Sequence, residues 1–234
     1  MLHRTDQDVS FWRDLALSAA GGRAAREPAG GVVLELACGT GRLTLPLARA
    51  GVPIVGLDND PDMLAAAQRR AKAESLSNAP AFLAADMRRF ALAQRFPLVF
   101  IGYNSLQLLT DRSEMTACLR HARRHLAPGG RVGLEVTDFQ VGGADGPPDP
   151  RDSDAPIALA EAEGIRLSGT LVHDFATRTS RYRRIFEGPG WRREDELVMR
   201  SLDLAELSAL LSHAGLTLAR TWIAGTTVRA LATD

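Results

Sequence analysis

Lysine is almost missing from this chain: Lys72 is the only one among 28 basic residues. Cysteine is nearly as scarce, and Cys38 and Cys118 form neither a disulfide framework nor a C-x-x-C metal pair. Both are expected to be reduced and structural. No apolar run approaches the roughly 18 residues of a membrane helix, and the opening MLHRTDQDVSFW lacks a signal-peptide core. The reading is therefore no membrane and a cytoplasmic location. Net charge is also absent, with 28 acidic residues against 28 basic ones and a pI near 7.0. No overall field draws the chain to nucleic acid, so a small neutral or modestly charged molecule is the expected partner. The abundant alanine and arginine point to a GC-rich bacterial coding sequence. At 234 residues one sizeable core is affordable, and the expectation is a single domain, as a monomer or homodimer.

What is present begins at 32–41, VVLELACGTG, an apolar run that empties into a glycine turn. A second run, PIVGLD, closes on Asp58. Strand, glycine turn, helix and a strand ending in a carboxylate form a nucleotide-binding half-domain. Gly39 and Gly41 can accept positive φ and let a ligand touch the backbone. Amides opening the next helix, about 42–49, can face a polar or anionic group, and Pro46 requires that helix to begin just before it. Asp58 can accept both hydroxyls of a ribose. A dinucleotide fingerprint wants a third small residue where this chain has Thr44, which disfavours a pyrophosphate.

With its acidic residue and glycine turn, Glu35-Leu36-Ala37-Cys38-Gly39-Thr40-Gly41, the chain resembles the class I S-adenosylmethionine-dependent methyltransferases, in their bacterial small-molecule branch. That family usually has Gly where Ala37 stands. The resemblance covers about residues 30–140. It implies S-adenosylmethionine as cofactor, S-adenosylhomocysteine as product, and methyl transfer to a small-molecule acceptor at O or N, possibly C. Position by position, Glu35, Ala37, Cys38, Gly39, Thr40 and Gly41 would line the methionine half of the cofactor. Asp58 would hold the ribose, and Asn59 and Met63 would flank the adenine. The Asp86 carboxylate would accept from the adenine amino group, with the Met87 backbone against the ring. Tyr103 and Asn104, in PLVFIGYNSLQLL, would sit near the sulfonium, and LRHARRHLAPGGRVGLEV matches the helix, turn and fifth strand of the fold.

The implied architecture is α/β: a doubly wound, mostly parallel seven-stranded sheet with helices on both faces, an antiparallel β insertion before the last helix, and an N-terminal helical cap. Residues 1–30 form the cap and 31–140 the cofactor-binding core; 141–201 form a loop and the β insertion that shapes the substrate pocket; 202–234 supply the last helix and strands. The pattern predicts a helix over 8–19, a Gly-rich link over 21–31, and core strands near 31–37, 53–57, 80–85, 97–103 and 130–139. Residues 141–156, rich in Gly, Pro and Asp, read as a mobile loop or lid. Period-two alternation over 164–201 predicts three antiparallel strands, and LTLARTWIAG with TVRALATD a closing pair joined through Gly225.

Methyl transfer is an in-line displacement, so the protein must mainly supply alignment. An alcohol or phenol acceptor would also need a base. His173 is the candidate, because alternation places it on one face with Ile165, Leu167, Leu171 and Phe175. Trp12, Tyr103 and Tyr182 join it as candidate substrate contacts, although Phe11 and Trp12 also read as aromatic packing of the cap helix. His121 and His125 sit at i and i+4 without the carboxylate of H-E-x-x-H, so no metal is expected and they are read as cations at a helix C-terminus. His213 reads as capping, and the Arg120, Arg123 and Arg124 cluster as a solvated helix face. Two rival readings stay open: a non-catalytic S-adenosylmethionine-binding or partner-binding module, and an NAD-linked oxidoreductase.

Overall fold

Two sheets organise the molecule in a computed structural model that describes residues 5–21, 31–76, 78–139, 157–162 and 164–234. The larger sheet begins with β1 (Val33–Leu36), β2 (Ile54–Asp58), β3 (Ala81–Ala84), β4 (Phe96–Ile101) and β5 (Leu126–Thr137). It is completed by the C-terminal β10 (Thr217–Ala224) and β11 (Thr227–Thr233), in the order β10-β11-β5-β4-β1-β2-β3. β11 runs antiparallel to β5 and β10, and the remaining pairs are parallel. This is the doubly wound seven-stranded sheet expected from sequence. The strand order reverses between β1 and β4, and ligands of such folds bind beyond the carboxyl ends of strands at that crevice.

Alternation assigns the strand residues to two layers. Leu34, Leu36, Val99, Ile101, Val132, Leu134 and Val136 point into one core, with α4 (Arg112–Arg124) and α5 (Leu204–His213) packed over it. Val33, Leu98 and Phe100 point the other way, beneath α1 (Thr5–Ala19) and α2 (Thr44–Arg49). Trp12 of α1 is fully buried and stacked on Phe100 at 4.8 Å. Its indole fits because Gly102 and Gly133 lie under it; a Cβ on Gly133 would come within 2.8 Å of the ring. Trp12 is therefore a core residue, which corrects its reading as a substrate contact.

The remaining helix, α3 (Pro61–Ala73), starts where Asp60 accepts from the amides of Asp62 and Met63, with Pro61 at the first helical position. Asp111 and Asp203 cap α4 and α5 in the same way. α2 is only six residues long, and Pro46 falls in its first turn, where a missing N–H costs nothing.

The second sheet is antiparallel, in the order β6-β7-β8-β9: β6 (Ile157–Ala162), β7 (Ile165–Asp174), β8 (Thr179–Gly188) and β9 (Trp191–Arg200). It has one strand more than the alternation indicated. IALAEA is alanine-rich and carries little β propensity, so β6 owes its form to pairing with β7. β5 also begins earlier than expected, at Leu126, because the segment around Pro128 pairs with β4 through a register shift. The expected Gly-rich link over 21–31 and the loop over 141–156 lie largely and wholly outside the described residues, respectively. No helix among the described residues is long and apolar enough to cross a membrane.

Candidate functional site

Beyond the carboxyl ends of β1, β2 and β3 opens a cleft of about 340 Å³, lined by Ala37, Leu57, Asp58, Asn59, Ala85, Asp86, Met87, Arg88, Leu108, Leu109 and Glu114. Five of the residues singled out in the sequence meet there: Ala37, Asp58, Asn59, Asp86 and Met87. The backbone explains the shape. Ala37, Gly39 and Gly41 take φ values of 56°, 53° and 80°, folding the chain tightly back between β1 and α2. Ala37 adopts the left-handed region despite its Cβ, a strain of about 1 kcal/mol that glycine would avoid. Asp58 holds this turn in place: Gly39 N–H donates to Oδ2 at 2.7 Å, and Asp60 N–H donates to Oδ1 at 2.9 Å.

Glu35 lies under the turn and is buried. Its carboxyl accepts from the Thr44 hydroxyl, so the position where a dinucleotide fold would carry a small residue instead supplies a donor to the acid. Burial pushes the Glu35 pKa up to about 8, opposed by the Thr44 bond and by nearby Arg42. Cys38 is buried and free, and burial raises its thiol pKa as well. Thr40 is tied to α3, its carbonyl accepting from Arg70 at 2.9 Å.

At the exit of β4, Tyr103 and Asn104 both have positive φ, 53° and 62°. The Asn104 side chain is buried and accepts from Thr137 Oγ1 at 3.0 Å, so it fastens β4 to β5 and does not line the cleft. Tyr103 stays 37% exposed, with the Arg42 guanidinium 4.2 Å above its ring. Burial raises the Tyr103 pKa above its ordinary value. Arg42 also reaches Asp8 of α1 at 2.7 Å, linking the cap helix to the turn. Met63 and Leu108 are exposed, and Leu108 lines the cleft.

His173 sits on β7 with its Nδ1 2.7 Å from the hydroxyl of buried Ser180. Register places His173, Ser180 and Met199 on one rung, and Leu171, Tyr182 and Leu197 on the next same-face rung. Buried Leu171, Ser180 and Met199 show that this end of the face is covered. The adjoining rung carries Arg200, whose carbonyl accepts from Gln107 Nε2 at 2.7 Å, while the same amide donates to Thr137 O at 2.7 Å. Gln107 belongs to the short 3-10 helix Ser105–Leu108 that follows Tyr103 and Asn104. The His173 end of the added sheet is therefore tied to the crevice side of the large sheet.

His125 is corrected in charge. Its Nδ1–H donates to the His121 carbonyl at 2.7 Å, and its Nε2 accepts from Leu92 N–H at 2.9 Å, which requires a neutral ring. His121 Nδ1–H donates to Phe90 O at 2.9 Å. Among the described residues no group of three or more His, Cys, Asp or Glu could hold a metal ion. Sequence reasoning missed Arg88 and Glu114 as cleft residues; a basic side chain two positions after an expected ligand carboxylate was the only available signal.

Residues 33–130 match the family model of a methyltransferase domain. Over 119 residues the chain is 33% identical to the cypemycin N-terminal methyltransferase of Streptomyces sp, covering 50% of this chain and 47% of that protein. Over 108 residues it is 34% identical to a dTDP-3-amino-3,6-dideoxy-alpha-D-glucopyranose N,N-dimethyltransferase of Streptomyces fradiae, covering 46% and 40%. The chain thus spans about half the length of these curated relatives or less. The CcbJ methyltransferase from Streptomyces caelestis superposes with a TM-score of 0.76 at 25% identity, covering 95% of this chain and 88% of that one.

Proposed function

We propose that the chain is an S-adenosylmethionine-dependent methyltransferase, and that it transfers a methyl group from S-adenosylmethionine to a small-molecule acceptor, an amine first of all. The cleft carries this reading. Its volume of about 340 Å³ lies within the range of small-molecule sites. Leu57, Met87, Leu108 and Leu109 offer an apolar wall to a base, while Asp58 and Asp86 offer acceptors to ribose hydroxyls and an amino group. Asn59 and Met63 would flank the base. Glu35 and the Ala37 to Gly41 turn, Cys38 and Thr40 included, would hold the methionine half, with Tyr103 toward the sulfonium and Asn104 fixing the β4 exit behind it.

The cofactor supplies a methyl group already activated on a positively charged sulfur. What these residues contribute is alignment and exclusion of water, where proximity alone is worth roughly 7–11 kcal/mol. The acceptor would enter between Tyr103 and the covered end of the added sheet, contacting His173 and Tyr182. In the tautomer whose Nδ1–H donates to Ser180, the His173 Nε2 lone pair is left to take a proton. An amine acceptor is favoured because the relatives named above are an N,N-dimethyltransferase of an amino sugar and an N-terminal methyltransferase of cypemycin. Incubation with S-adenosylmethionine and a panel of amino sugars, simple amines and phenols, read as a one-methyl mass gain, tests the proposal. Methylation of amines supports it. Cofactor binding with no product across the panel would favour a non-catalytic binding module, and NADH binding would favour an oxidoreductase.

A further inference from the structure

Asp86, the proposed acceptor for an adenine amino group, already has a resident donor. Arg88 N–H donates to Oδ1 at 2.8 Å, its Nε lies 3.0 Å from both carboxylate oxygens, and its Nη2 donates to Oδ2 at 2.6 Å. The other arm of the guanidinium, Nη1, donates to Glu114 of α4. All three side chains line the cleft. A carboxylate offers about four acceptor positions, and one arginine with its own amide makes four contacts here. An incoming amino group reaches Asp86 only by displacing part of that fork.

We propose that Arg88 sets the affinity of the cleft by acting as an internal competitor, and that binding exchanges its side-chain bonds to Asp86 for the amino group of the base while Glu114 retains the guanidinium. This rests on the adenosyl reading of the cleft. The exchange is close to balanced because each state leaves every charged group with a partner: Asp86 passes from guanidinium to amine, and Arg88 keeps one of its two carboxylates. Partly exposed ion pairs are weak enough to be traded in this way. Glu114 is then a positioning residue, required to hold Arg88 once Asp86 is taken.

Calorimetric titration of adenosine and S-adenosylhomocysteine, neither of which carries a sulfonium, into the wild type, Arg88→Met, Glu114→Gln and the double variant tests this. Arg88→Met should bind both ligands about three- to tenfold more tightly. Glu114→Gln should weaken binding by a similar factor in the wild type and have no effect in the Arg88→Met background. Weaker binding by a folded Arg88→Met protein would overturn the proposal, because Arg88 would then be a direct ligand contact. An equal effect of Glu114→Gln in both backgrounds would also overturn it. If the wild type and Arg88→Met bind neither ligand, the adenosyl reading itself fails and this inference falls with it.

Discussion

The Gly39 amide and the Asp58 carboxylate, 19 residues apart in the chain, are joined by a 2.7 Å hydrogen bond across the ends of β1 and β2. The other carboxylate oxygen takes the Asp60 amide. Asp58 therefore shapes the glycine turn as well as offering lone pairs to a ligand. Asp58→Ala should lower unfolding free energy by about 1–3 kcal/mol, because two backbone donors lose a charged acceptor. Urea denaturation measures this directly, and a stability equal to wild type would show that the turn stands without the carboxylate.

Glu35 gives a pH-dependent prediction. Its carboxyl pKa rises from an ordinary 4.5 to about 8 in the folded protein, chiefly through burial. Below pH 4.5 the group is protonated in both states and costs nothing. As pH climbs from there toward 8, the unfolded chain sheds the proton and the folded one holds it, so stability falls across that window. Glu35→Gln should accordingly stabilise the protein at pH 8, on the order of 3 kcal/mol, and change little at pH 4. The same substitution should weaken S-adenosylmethionine binding if the acid meets the ammonium of its methionine half. Equal melting temperatures at pH 8 would contradict the assigned cost.

Trp12 and Gly133 make a packing pair that a double-mutant cycle can read. An alanine Cβ at Gly133 would press on the indole at 2.8 Å and on Phe100 at 3.2 Å, costing about 1–3 kcal/mol by overpacking. Trp12→Phe removes bulk from the crowded spot, so it should cost less in the Gly133→Ala background than in the wild type. Additive losses would place the strain elsewhere.

His173 is tested by separating rate from binding. His173→Ala should reduce turnover of an alcohol or phenol acceptor by about 100-fold or more, with cofactor affinity unchanged, and should affect an amine acceptor less. Ser180→Ala should move turnover in the same direction by a smaller factor and alter its pH profile, since it removes the partner of Nδ1. A wild-type rate for His173→Ala on every acceptor would retire the base.

The large sheet was legible because its signals are local. Apolar runs end at Ala37, Asp58 and Asp86, each followed by a turn, and that pattern alone brings these three residues to one cleft. β6 was not legible: its alanines form a strand only because β7 is there to pair with. The charge state of His125 was hidden for a related reason. Its Nε2 partner is the Leu92 amide, 33 residues away, and nothing near His125 in sequence announces it. Trp12 shows the opposite case, where sequence offered both readings and two distant glycines, Gly102 and Gly133, decided for the core. Arg88 was overlooked because an arginine beside a carboxylate reads as an ordinary surface pair until the cleft is seen to open between them.

Isothermal titration calorimetry of S-adenosylhomocysteine into the wild type and Asp58→Ala tests most directly whether this cleft holds an adenosyl group. The wild type should bind at micromolar Kd and give no heat with NADH, and Asp58→Ala should lose about 2–4 kcal/mol of binding, through the lost acceptors for the ribose hydroxyls together with the loosened Gly39 turn. Failure of the wild type to bind, or an affinity untouched by Asp58→Ala, would contradict the adenosyl reading.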